Sequence, residues 1–122
     1  MNEEADRLLS GDYTVSAPYF LLLEFSNFLL RKRRKGELSD KEAREVQMTV
    51  LDCIDIFHST DQLIPRANQI STEINHSPYD CLYLAAAESQ RSFLITADRE
   101  LYDRVRNSPY RNIIAWIEYP VL

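Results

Sequence analysis

Three acidic residues occupy positions at which a carboxylate could take part in chemistry. Glu24 lies within an apolar segment, Asp80 lies in the first turn of a predicted helix, and Asp98 follows a short apolar strand. Mg²⁺ and Mn²⁺ prefer oxygen ligands and are held by a few carboxylates together with substrate oxygens. If the fold brings the three side chains together, they form a site for Mg²⁺ or Mn²⁺, and a water on that ion could attack a phosphodiester.

Each carboxylate also has a simpler interpretation. Asp98, or Thr96 before it, could only cap the helix that follows. The segment Ser77-Pro78-Tyr79-Asp80 is a variant of the capping box with proline at the first helical position, and capping alone would explain its aspartate. Glu24 has apolar neighbours, so it is expected to be buried and to need a partner, a raised pKa or a metal. A hydrogen bond to Asn27 on a narrow solvent-facing seam would also satisfy it.

Polar residues continue from Glu24 along the same predicted helix. Asn27 and Arg31 extend one stripe from it, and the basic run 31–35 ends the helix. Such a run is typical of a solvated helix terminus, where cations meet the negative end of the dipole. Its functional interpretation is a patch that binds successive phosphates of RNA. The net charge of -5 gives the chain as a whole no attraction for nucleic acid, so RNA would have to be held locally.

Length and composition indicate one domain, residues 1–122. With 45% hydrophobic residues the chain can bury a single core. Cys53 and Cys81 are far apart in apolar surroundings, which favours reduced thiols in a cytoplasmic protein over a disulfide. The acidic N-terminus does not resemble a signal peptide, and no segment approaches the ~20 apolar residues of a membrane span.

Helical and strand patterns alternate along the chain. Strands separated by helices predict a mainly parallel sheet that is covered on both faces. Ligands of such sheets bind beyond the carboxyl ends of the strands, where Asp98 falls. The predicted helices are at 3–9, from Pro18 through the basic run to Gly36, from the capping box 39–42 through 51, from 59 through 70, 77–87 and 98–106, and the predicted strands are at 13–16, 54–57, 92–96 and 113–117.

Three segments together resemble a known family. They are APYFLLLEFSN at 17–27, SPYDCLYLAAAE at 77–88 and LITADREL at 94–101. In this order they resemble the three downstream motifs of PIN-domain ribonucleases, most closely the toxins of bacterial VapBC toxin-antitoxin pairs. The resemblance implies catalytic and metal-binding roles for Glu24, Asp80 and Asp98. Thr96, Asn27 and Arg31 are the candidate substrate-binding residues.

The resemblance also implies a fold and a set of partners. The expected fold is a three-layer α/β/α sandwich with a mainly parallel central sheet. The expected activity is endonucleolytic cleavage of RNA by a water that Mg²⁺ or Mn²⁺ activates. A homodimer and a cognate antitoxin that covers the acidic cleft are the expected protein partners.

The sequence departs from the family at its beginning. Family members start with a strand that ends in an aspartate, usually followed by a helix, before the segment that matches 3–9. We therefore expect an N-terminally shortened PIN domain with an incomplete site and reduced metal affinity. It is either a shortened form of a longer chain or a variant in which a rearranged sheet, or a segment of a second copy, fills the place of the strand.

Two other classes of function fit parts of the pattern. The first is a catalytically inactive PIN-like binding protein that pairs with an antitoxin or with itself, and the absent aspartate is the feature that suggests it. The second is a receiver-like domain, in which acidic residues at strand ends also bind Mg²⁺. That class needs an early acidic pair and a lysine at a strand end, and neither is evident in the sequence.

Overall fold

The computed structural model describes residues 14–117, in which five α-helices and four short strands alternate. The predicted helix at 3–9 and the first residue of the predicted strand at 13–16 lie outside the described residues. Within residues 14–117, no helix has the length and apolar character needed to cross a membrane. The elements are β1 (Ser16–Pro18), α1 (Phe20–Arg34), α2 (Asp40–Cys53), β2 (Ile56–His58), α3 (Thr60–Ile74), α4 (Pro78–Ser89), β3 (Leu94–Thr96), α5 (Arg99–Arg106), a 3₁₀ turn (Arg111–Ile113) and β4 (Ile114–Trp116).

The strands pair in parallel, as predicted. β1 pairs with β2, where Ala17 lies opposite Phe57, and β3 pairs with β4, where Ile95 lies opposite Ala115. Between residues 14 and 117 the strands form two two-stranded sheets. Helix α4 packs against both β1 and β3. The α/β class and the parallel pairing are therefore confirmed.

The core of the described chain is centred on helices α3 and α4. Ile70 of α3 and Leu84 of α4 are fully buried, and Val105 of α5 and Ile114 of β4 pack into the same cluster. Burial of each such side chain is worth about 1.5–3 kcal/mol. Cys81 lies in this cluster as a free thiol, and burial raises its pKa to about 11. Most apolar residues of α4 are buried, although Pro78 and Tyr79 at its start are exposed.

The predicted start of α1 was wrong. Pro18 is the last residue of β1, and the helix begins at Phe20. The backbone N–H of Tyr19 donates to the carbonyl of His58 at 2.9 Å, which extends the ladder past the proline. Proline, which has no N–H, is tolerated as the last residue of β1 because the hydrogen bond to His58 comes from Tyr19.

The ends of α1 and α2 follow local signals. Gly36 has a φ of 72°, and the backbone N–H groups of Gly36 and Glu37 donate to the carbonyls of Arg33 and Lys32, which is a Schellman motif. Ser39 and Glu42 form the predicted capping box, with both bonds at 3.0 Å. The strand predicted at 54–57 begins later, at Ile56, because α2 continues to Cys53.

Helix α1 buries little of its apolar surface. Leu29 is its only fully buried residue, whereas Leu23 is 69% exposed and Phe28 is 39% exposed. Among the described residues, α1 packs mainly on α2 and β1. An apolar sequence indicates that a helix has apolar surface to bury, but it does not specify which other element packs against that surface.

Candidate active site

Glu24 lies in the second turn of α1 and is exposed, which contradicts the expectation that it is buried. Its partner is the Tyr83 hydroxyl, which donates to Glu24 Oε1 from helix α4. The predicted alternative, a bond to Asn27, is not the contact that the structure forms. Burial and then this bond raise the pKa of Tyr83 well above its ordinary value. The phenol therefore stays protonated at neutral pH and remains a donor.

Asp80 lies in the first turn of α4 and is half-buried. The Ser77 hydroxyl caps the helix by accepting from the Tyr79 N–H at 3.2 Å, so Asp80 does not complete a capping box. Its carboxylate instead contacts His76 Nε2 at 2.7 Å, and the His76 side chain is only 10% exposed. After burial and Glu24, the negative charge of Asp80 also raises the pKa of Tyr83. Asp80 and Tyr83 are three residues apart and share a face of α4.

Asp98 follows β3 directly and caps helix α5. Its Oδ1 accepts from the Leu101 N–H at 3.2 Å, and its own N–H donates to Thr96 Oγ1 at 3.0 Å. The capping interpretation is confirmed, and Asp98 lies at the carboxyl end of its strand as predicted. In residues 14–117 no hydrogen bond joins Asp98 to Glu24 or Asp80.

Side chains of helices α1 and α4 contact each other at two places, one helical turn apart. The Phe20 and Tyr79 rings stack with centroids 5.4 Å apart, and one turn later Glu24 meets Tyr83. Tyr79 is 61% exposed, although core packing is the usual role of such an aromatic residue. Beside the stacked rings is an apolar groove of about 260 Å³, which Ile64, Ala67 and Leu82 also line.

Sequence reasoning missed two functional neighbours, His76 and Tyr83. His76 lies just before Ser77, the N-cap of α4, and its position next to the first turn that carries Asp80 was a usable signal. The contact of Tyr83 with Glu24 spans 59 residues, and nothing local indicates it.

Comparison with known families decides the class of the protein. Residues 1–107 match the family model of the PIN domain. The chain belongs to the PIN domain family. The prediction of a PIN domain from the three motifs is confirmed, and membership indicates a nuclease-type function in general. The likeness to VapC toxins stays a prediction. A comparison with curated proteins found no match.

The candidate substrate-binding residues of this PIN domain lie on its surface. Asn27 and Arg31 are exposed on α1, and Thr96 is half-buried at the end of β3. Within the basic run, Lys32 pairs with Glu37 at 2.7 Å and Arg33 approaches Asp40 at 3.6 Å. These local pairs support the solvated helix terminus, and the role of the run toward phosphate stays a prediction.

The donor chemistry of this PIN domain fits a hard divalent cation. Carboxylate oxygens are the ligands that Mg²⁺ and Mn²⁺ prefer, and Mg²⁺ commonly uses one or two carboxylates with waters and substrate phosphates. Between residues 14 and 117, no group of three Asp, Glu, His or Cys side chains is close enough to hold one ion. Of the predicted ligands, Glu24 accepts from Tyr83, and Asp80 precedes Tyr83 by three residues on α4.

Proposed function

We propose that this PIN domain is an endoribonuclease of the VapC toxin type that uses Mg²⁺ or Mn²⁺ to hydrolyse RNA phosphodiesters. Family membership supports the nuclease class. The observation that carries the proposal is the hydrogen bond from Tyr83 to Glu24 of α1, because Tyr83 lies on α4 three residues after Asp80. Two carboxylates beside one neutral donor suit a cation that also contacts a phosphate.

The residues have distinct roles in this proposal. Glu24 and Asp80 hold the ion, and Asp98, whose carboxylate caps α5, is a further catalytic residue that the motifs predict. When bound, the ion supplies an activated water and neutralises charge on the leaving oxygen. His76 holds the carboxylate of Asp80 in place through its 2.7 Å contact.

Substrate contacts come from the remaining candidates. The exposed guanidinium of Arg31 can attract a phosphate, and the Asn27 amide can donate to a phosphate or sugar oxygen. Thr96 lies beside Asp98, with its hydroxyl accepting from the Asp98 N–H. These groups would hold RNA locally on a chain whose net charge is -5.

The proposal includes the setting that the resemblance implies. It is a cytoplasmic protein that forms a homodimer and is inhibited by a cognate antitoxin. The free thiols of Cys53 and Cys81 support a reducing compartment. The exposed Leu23 and Tyr79 supply apolar surface that a protein partner could cover.

RNA cleavage tests the proposal. We expect cleavage of a single-stranded RNA in Mn²⁺ that stops when a chelator is added. Asp80→Asn and Glu24→Gln should each reduce the rate about 100-fold or more, because losing even an outer-shell partner of a metal costs about 10–100-fold. Asp103→Asn is the matched control, since Asp103 is an exposed acid on α5 that pairs with Arg99 at 3.6 Å.

Two results would contradict the proposal. One is the absence of cleavage above a buffer control by folded protein in Mn²⁺. The other is an equal loss in Asp103→Asn, which would make the effect one of net charge. Tight self-association or antitoxin binding without cleavage would instead support the catalytically inactive binding protein.

A further inference from the structure

The contact of Tyr83 with Glu24 joins two parts of the molecule that differ in rigidity. Glu24 is an exposed side chain on α1, which has a single fully buried residue in the described structure. Tyr83 lies on α4 between the buried residues Leu82 and Leu84, on a helix that packs against α3 and both sheets. Tyr83 is half-buried on a packed helix and Glu24 is exposed, so the phenol has less conformational freedom than the carboxylate.

An exposed glutamate has several rotatable bonds and samples many directions when nothing holds it. A hydrogen bond from a fixed donor selects one of these directions. Tyr83 is such a donor, and it also lies in the field of Asp80, three residues earlier on the same helix. The Phe20–Tyr79 stack, one turn before this contact, holds α1 and α4 together at the same place.

We propose that Tyr83 is a positioning residue, whose hydroxyl holds the Glu24 carboxylate beside Asp80 so that both can bind one divalent cation. This inference rests on the proposed function. Tyr83 acts through Glu24 and does not itself contact the ion or the RNA. Outer-shell donors of this kind orient the ligands of metal sites, and their loss weakens metal binding.

A purely structural interpretation makes a different prediction. If the bond served only to tie α1 to α4, its loss would reduce stability and leave the affinity for a cation unchanged. Another tyrosine of the chain provides the comparison. Tyr110 donates its hydroxyl to Glu73 at 2.6 Å and accepts from Arg66 at 3.2 Å, with neither residue in the candidate site.

The experiment is a Mn²⁺ titration of the whole chain, followed by electron paramagnetic resonance of the free ion. Tyr83→Phe removes the hydroxyl and keeps the ring, and we expect Mn²⁺ affinity to fall about 10-fold or more. Tyr110→Phe should bind Mn²⁺ as the wild type does. Unfolding curves of both variants separate this effect from any change in stability.

A double mutant tests whether Tyr83 affects Mn²⁺ affinity through Glu24. In a Glu24→Gln background, adding Tyr83→Phe should change Mn²⁺ affinity less than twofold, because Tyr83 acts through the carboxylate that is already absent. Equal affinity of Tyr83→Phe and wild type would overturn the inference. So would a loss that persists at full size in the Glu24→Gln background.

The two proposals fail in different ways. If wild-type protein cleaves RNA and binds Mn²⁺ but Tyr83→Phe does the same, only the positioning role is wrong. If folded wild-type protein neither binds Mn²⁺ nor cleaves RNA, the nuclease proposal is wrong, and the role of Tyr83 toward a cation is wrong with it.

Discussion

Two regions of the molecule are built differently. The packed region consists of α3, α4, α5 and β4, where Ile70, Leu84 and Val105 are fully buried. The helical hairpin consists of α1 and α2, where Leu29 and Ala43 are the fully buried residues and several large apolar side chains are exposed. Regions with few buried apolar contacts open at lower free-energy cost than cores do.

The candidate site draws on both regions. Asp80 and Asp98 belong to elements of the packed region, whereas Glu24 belongs to the hairpin. The geometry of the site therefore depends on how firmly the hairpin is held against α4. The bond from Tyr83 and the stack of Phe20 on Tyr79 are the contacts that do this, and both lie next to the acidic residues.

The largest expected difference between the regions is in the cost of shortening a leucine. Leu84→Ala in the packed region should lower the free energy of unfolding by about 2–5 kcal/mol, since it leaves a cavity in a closed core. Leu23→Ala in the hairpin should change it by no more than about 0.5 kcal/mol, because that side chain is 69% exposed. Urea unfolding of both variants measures the contrast.

Equal losses of unfolding free energy in Leu84→Ala and Leu23→Ala would contradict this difference between the two regions. A large loss for Leu23→Ala would mean that this face of α1 is covered in solution, for example by a second copy of the chain. Repeating the measurement over a range of protein concentrations distinguishes this case, because only an intermolecular contact depends on concentration.

The next effect concerns an ion-pair network within the packed region. Arg66 of α3 makes a bidentate bond to Glu88 of α4, at 2.7 and 2.9 Å, and donates to Tyr110 at 3.2 Å. Arg66→Ala should cost about 1 kcal/mol, a value kept small because both ion-pair side chains are 37% exposed to solvent. Lys41→Ala, which removes a more exposed pair with Glu45 on the hairpin, is the control and should have no measurable effect.

The same network predicts a dependence on pH. The hydrogen bond from Arg66 holds the pKa of Glu88 below its ordinary value of 4.5. The unfolded chain therefore binds this proton at a higher pH than the folded chain does, so the stabilisation is complete above about pH 4.5 and is lost as pH falls through the folded pKa. As the pH is lowered from about 6 to about 3, the difference in unfolding free energy between wild type and Glu88→Gln should stay constant down to about pH 4.5 and then shrink. A constant difference over this range would show that the ion pair contributes nothing.

How much the sequence predicts depends on how local the cause is. The capping box at Ser39 and the end of α1 near Gly36 are set by neighbouring residues, and both were predicted. The exposure of Glu24 was not predicted, because it depends on which elements pack over α1, and its contact with Tyr83 depends on the tertiary approach of two helices.

The smallest effect tests the hairpin directly. The Ser39 hydroxyl accepts from the Glu42 N–H at 3.0 Å at the start of α2. Ser39→Ala should cost about 0.5–1 kcal/mol, as loss of an exposed cap usually does. If the hairpin opens separately from the packed region, amide exchange should accelerate in α2 and stay unchanged at Leu84 and Ala85 of α4. Equal acceleration at both places would mean that the two regions open as one unit, and the position of Glu24 would then be as stable as that of Asp80.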